Sequence, residues 1–185
     1  MFIGFGEKRC RKNLPLSDAG EMIRETIRTI SNAGKQVCAA ICLSRFCSHY
    51  DISDSHLDQL IAHLWDFASI GSPDEFVAWD SRLQSISLTD LDDVLAQDVA
   101  TVIPPTLLTD FSRLVTCVER LGMCDAYGGD TDGPIDYLVD TMRILDSHDI
   151  SKPSLDLFTV SPHNTGWGMP VDPEILADWE HLNPA

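Results

Sequence analysis

The stretch SDSHLDQLIAHLWDFASI, residues 53–70, decides the fold class. Leu57, Leu60, Ile61, Leu64 and Ala68 recur at the spacing that lines one face of an α-helix, and Trp65 and Phe67 widen the stripe. Gly71 ends it. Immediately upstream, KQVCAAICLSRFCSHY (35–50) is apolar around most of its circumference, which predicts a second helix, central and buried on several sides. Before that, Ile23, Ile27 and Ile30 predict a first helix within 17–32, with Ser17 or Asp18 as N-cap and Gly34 as its stop.

Downstream, Ser72-Pro73-Asp74-Glu75 reads as a new helix start, with a Ser cap, Pro at the first helical position and Glu three residues after the cap. Phe76, Trp79 or Asp80, and Leu83 form its core face. Thr89 to Val102 predicts a fifth helix, capped by Thr89 or Asp90, that buries Leu91, Val94, Leu95, Val99 and Val102 and breaks at Pro104-Pro105. Leu107, Leu108, Phe111, Leu114, Val115, Val118 and Leu121 predict a sixth, ended by Gly122. A loop over 125–133 leads to a seventh, marked by Ile135, Leu138, Val139, Met142 and Leu145 and running out near His148. Beyond Ser151 the pattern changes. Leu155 to Val160 reads as a short strand or extended run, residues 161–173 are rich in Pro, Gly and Asn, and a last helix spans Pro173 to Leu182.

The expected fold is therefore all-α: a mainly helical bundle of about seven or eight helices with an irregular C-terminal segment. Residues 1–16 form a basic N-terminal arm and 17–150 the helical domain. Residues 151–185 form an extended tail whose short helix packs on the same domain. No strand–helix alternation and no internal repeat is visible.

Charge is distributed unevenly. Through Tyr50 there are eight Lys/Arg against four Asp/Glu, and from Asp51 onward five against twenty-five, so the second part carries −20 of a net −16. A surface of that sign repels polyanions, which argues against nucleic acid and anionic membranes as partners and favours a basic protein. No apolar run approaches the roughly 18 residues that span a bilayer. The short apolar start precedes the cluster Lys8, Arg9, Arg11 and Lys12, the reverse of a secretory signal, so the expected location is cytoplasmic. The six cysteines (Cys10, Cys38, Cys42, Cys47, Cys117 and Cys124) then read as reduced, mostly core residues.

No catalytic constellation emerges. There is no G-x-S-x-G elbow. Cys47 and His49, two apart on a helix, point to different sides. Zinc spacing is missing, and His56 and His63 lie two turns apart, about 10 Å along the axis, too far to share an ion. Asp125, Asp130, Asp132 and Gly133 lack the spacing and closing Glu of a calcium loop, and Gly4-Phe5-Gly6 is only a fragment of a dinucleotide fingerprint. No cofactor, no metal and no catalytic residue is expected. What remains is acid on helices. Asp132, Asp136 and Asp140, spaced by four, form one ridge, extended by Asp130 and Asp125 from the loop; together they are the candidate partner-binding residues. Asp90, Asp92, Asp93 and Asp98 form a second cluster, which the dipole of the fifth helix accounts for.

The run Val37-Cys38-Ala39-Ala40-Ile41-Cys42 leading to Arg45, the Leu60 to Phe67 helix with Trp65, and the later helix with Val118-Glu119 give a layout over Lys35 to Leu145. That layout resembles small helical bacterial proteins of unassigned function and the immunity proteins of toxin–immunity pairs. The resemblance implies a cytoplasmic, noncatalytic inhibitor that binds a cognate basic toxin domain and blocks its active site, and it points to no contact residue. The alternative is an enzyme or metal-dependent hydrolase using the clustered aspartates.

Overall fold

Helix starts and stops chosen by short polar side chains set the architecture. The structure, a computed structural model, describes residues 18–90, 94–124, 132–159 and 170–183. Within them run eight α-helices: α1 (Asp18–Arg28), α2 (Asn32–His49), α3 (Ser55–Asp66), α4 (Pro73–Ile86), α5 (Gln97–Val102), α6 (Leu108–Leu121), α7 (Gly133–Ser147) and α8 (Pro173–Glu180). Tight 3-10 turns occupy Phe67–Ser69 and Leu155–Phe158. Among the described residues there is no strand, only an isolated antiparallel bridge between Thr89 and Leu95. The all-α expectation holds; the basic arm 1–16 lies outside the described residues.

α2 is the axis of the bundle, touching α3, α6, α7 and both 3-10 turns. Its residues from Val37 to Leu43 are fully buried, which explains why its apolar residues go all the way round. The stripes of α3, α6 and α7 close on it: Ile41, Leu60, Leu64, Phe111, Val115, Leu138 and Met142 share one core. Gln36, also buried, donates its Nε2–H to the Val118 carbonyl at 3.0 Å and so fixes α2 against α6.

The caps are partly as expected. Ser72 Oγ accepts from Glu75 N, with Pro73 in the first turn of α4. Glu75 reaches one residue further back than a capping box requires and takes the Gly71 N–H at 2.7 Å. α3 is capped by Asp54, and α2 by Ser31, whose Oγ accepts from Gly34 N. Gly34 is therefore not a stop but part of the first turn of α2. A Cβ there would stand 2.8 Å from Ile30 Cγ2, so glycine lets the end of the preceding segment fold back onto α2. α2 and α7 end alike: Asp51 and Asp149 take left-handed φ of 52° and 56°, and the next residues, Ile52 and Ile150, return N–H bonds to the Cys47 and Leu145 carbonyls, both at 2.9 Å.

The fifth helix is shorter than the apolar spacing predicts. It begins only at Gln97; Val94 and Val102 are exposed, while Leu95 and Val99 are buried as expected. Leu91 lies outside the described residues. The reason comes from outside the segment. Glu119 on α6, itself buried, takes the Leu88 N–H at 2.7 Å and the Thr89 hydroxyl at 2.5 Å, holding that stretch in a turn. In the tail, Leu155–Phe158 is a 3-10 turn rather than a strand. The 155–158 turn touches α1 and α2, and Arg45 of α2 donates to the Ser151 and Leu182 carbonyls. Within the tail, Phe158 and Trp179 are buried against each other with ring centroids 5.1 Å apart, and Trp179 Nε1 donates to the Leu157 carbonyl.

Candidate functional site

The aspartate ridge lies where its spacing puts it, along one face of α7, but it is not left bare. Arg24 of α1 donates to Asp136 at 2.5 Å, and Arg28 stands 3.6 Å from Asp132. Asp140 is held by Arg113 of α6 at 2.9 Å and by Arg143 at 3.3 Å. The like-charge repulsion along the ridge is thus offset by arginines of the same chain, and the ridge joins α1 and α6 to α7. Asp125 and Asp130 lie outside the described residues. In the second cluster, Asp90 accepts from Val94 N within the turn and Asp98 lies 3.6 Å from His56; Asp92 and Asp93 are outside the described residues.

The thiols are placed for packing. Cys38, Cys42, Cys47 and Cys117 are buried thiols, and Cys124 is half-buried. Burial pushes the Cys47 thiol up to about 12 and drives Cys38 upward as well, the reverse of an activated nucleophile. His56 is exposed, while His63 is buried, stacked on Trp79 with ring centroids 5.1 Å apart. The pair is reciprocal: His63 Nε2 donates to the Trp79 carbonyl and Trp79 Nε1 to the His63 carbonyl, both at 2.9 Å. Among the described residues no group of three or more His, Cys, Asp or Glu is placed to hold a metal ion.

One polar chain escaped the sequence reading. Tyr50 Oη lies 2.7 Å from His148 Nδ1, and His148 Nε2 lies 3.0 Å from Asp110 Oδ2. A carboxylate only accepts, so Nε2 carries a proton, and in the neutral imidazole the phenol donates to Nδ1. Chemically this is a path for a proton. Structurally it binds the matching ends of α2 and α7 to the start of α6. Its members are 38 and 98 residues apart, so no local pattern announces it.

A groove of about 510 Å³ opens between α3 and α8. α3 contributes Asp58, Ile61, Ala62, Trp65 and Asp66. Across it stand Leu176 and Glu180 of α8 and Asn183 just beyond, with Ser44 of α2 and Ser69 completing the lining. The middle is apolar and the ends acidic. Asp58 and Glu180 form no ion pair among the described residues, and Asp66 has only distant ones, 3.8 Å to Arg82 and 3.7 Å to His63. Trp65 Nε1 and Asn183 Oδ1 are buried in the wall without a hydrogen-bond partner. α8 also carries Glu174 and Asp178, both exposed and without an ion-pair partner among the described residues. Among the described residues, the acids of α8 and Asp58 have no arginine partner, whereas those of the α7 ridge do. The sequence assigns Ile61 and Trp65 to the core stripe of α3 and points to no site there; the apposition of α8 that makes a groove of that face is not legible in it.

Comparison with protein families, curated proteins and solved structures finds no match for the chain. No helix of the described residues is long and apolar enough to cross a membrane.

Proposed function

We propose that this chain is a noncatalytic acidic binding protein that acts in the cytoplasm. It inhibits a basic protein by covering its active site, as the immunity proteins whose helical layout it resembles do with their toxins. The observation that carries this reading is the uncompensated acid of the α3–α8 groove: Asp58 and Glu180, which line it, have no cationic partner among the described residues, and its middle is apolar. Such a face attracts a basic partner over a distance of about a Debye length, while apolar contacts supply most of the affinity. On α7, Asp132, Asp136 and Asp140 belong to the proposed contact surface as groups that can exchange an arginine of this chain for one of the partner, with Asp125 and Asp130 continuing it. No observation among the described residues favours the metal-dependent hydrolase.

The test is capture from the source cells on the immobilised protein, with elution by rising salt and assay of what elutes. The expected result is a basic protein whose activity is lost at one equivalent of this chain. Turnover of a small molecule by the purified chain, with no protein captured, overturns the proposal.

A further inference from the structure

The groove between α3 and α8 has two acidic stations. Asp58 and Asp66 are eight residues apart on α3, about 12 Å along the axis. Between them lie Ile61, Ala62 and Trp65, and Glu180 faces them from α8. An extended peptide advances about 3.3 Å per residue and points every second side chain the same way. Residues i and i+4 of such a segment are then about 13 Å apart on one face, with i+2 between them. The two lengths match.

We infer that the groove takes an extended segment of the basic partner in which two Arg or Lys residues, four apart, flank an apolar residue. This rests on the binding function proposed above and names the segment recognised. The outer side chains meet Asp58 at one end and Asp66 at the other, with Glu180 of α8 across the groove from them. The central one lies on Ile61, Ala62 and the ring of Trp65, whose face also suits a guanidinium. Charge complementarity selects this occupant over an acidic or neutral peptide. The apolar middle selects it over a small polycation.

The probe is acetyl-Arg-Ser-Leu-Ser-Arg-amide, titrated into the 15N-labelled full chain at low salt, with the Glu-for-Arg peptide and spermidine as comparators. The expected result is saturable movement of the α3 and α8 amides and of the Trp65 indole N–H. The Asp58→Asn/Glu180→Gln double variant should bind at least fivefold more weakly. The Glu peptide should move nothing. The inference is overturned if the shifts fall on 132–140 instead, if the double variant binds within twofold of the parent, if spermidine gives the same map at equal concentration, or if no saturable shift occurs. Shifts on the α7 ridge would leave the function as a binder of basic proteins standing while removing the groove. Failure of the function itself is read separately, from the capture experiment.

Discussion

Asp51 and Asp149 occupy positions where the chain turns left-handed just after a helix, the conformation that suits glycine and strains an L side chain. The surrounding bonds hold them there: Ile52 and Ile150 are buried, and their N–H groups close the two helix ends. Replacing either aspartate by Gly should therefore stabilise the fold by about 0.5–1 kcal/mol, read as a higher urea midpoint with unchanged slope. A lower midpoint would mean that the carboxylates make contacts outweighing the strain. His63 shows a different residue-scale effect. Burial against Trp79 lowers its pKa below the usual imidazole value, outweighing the hydrogen bond to the Trp79 carbonyl. From about 6.5 down to the lowered native value, the unfolded chain binds a proton that the native state refuses. Stability contributed by neutral His63 is thus complete above about pH 6.5 and declines as pH falls through that window. His63→Gln keeps an N–H for the carbonyl but does not titrate. The difference in urea midpoint between parent and variant should be largest at pH 7 and narrow by pH 5. A difference independent of pH would contradict the buried neutral imidazole.

At the scale of elements, Glu119 shows most clearly what local sequence does not contain. Thr89 to Val102 has the apolar spacing of a helix, yet its first part is a turn because a carboxylate on α6, 30 residues away, accepts from Leu88 N and the Ser87 and Thr89 hydroxyls. Burial raises the Glu119 carboxyl while those hydrogen bonds pull it down. Glu119→Ala leaves the Leu88 N–H without its partner, for an expected loss of about 2–4 kcal/mol and new protease cleavage in the 87–96 connection. A loss below about 0.5 kcal/mol would show that the turn holds itself. Where interactions are local, the sequence is legible: the stripes of α3, α6 and α7 and the Ser72 cap depend on neighbours within a turn or two. The α7 ridge was legible as a ridge, but its charge balance was not, since Arg24, Arg28 and Arg113 arrive from other helices. A double-mutant cycle with Arg24→Ala and Asp136→Ala measures that balance. The pair is largely shielded, with side-chain exposures of 15% and 33%, so a coupling of about 0.5–1 kcal/mol is expected. Zero coupling would mean that Asp136 is free to meet a partner without first releasing an arginine.

Across the whole molecule, a net charge of −16 opposes compactness through self-repulsion, and the arginines that relieve it are unevenly shared. Among the described residues α7 has them and α8 does not. Asp178 and Glu180 are also in the last turns of α8, where the helix dipole disfavours negative charge, so the fold gains nothing visible by keeping them. Their presence there fits a use outside the chain, and this gives a prediction with two opposite signs. Asp178→Asn/Glu180→Gln should raise the urea midpoint, by a few tenths of a kcal/mol per residue at low ionic strength, and 0.5 M salt should shrink the gain by screening. The same variant should bind the captured basic partner more slowly and less tightly, because steering charge and the α8 carboxylate of the groove are gone. A surface kept acidic only for solubility would show the first effect without the second. Acids needed by the fold would show a lower midpoint instead. Measuring stability and association rate on one preparation, at two salt concentrations, therefore separates a binding face from a merely solvated one.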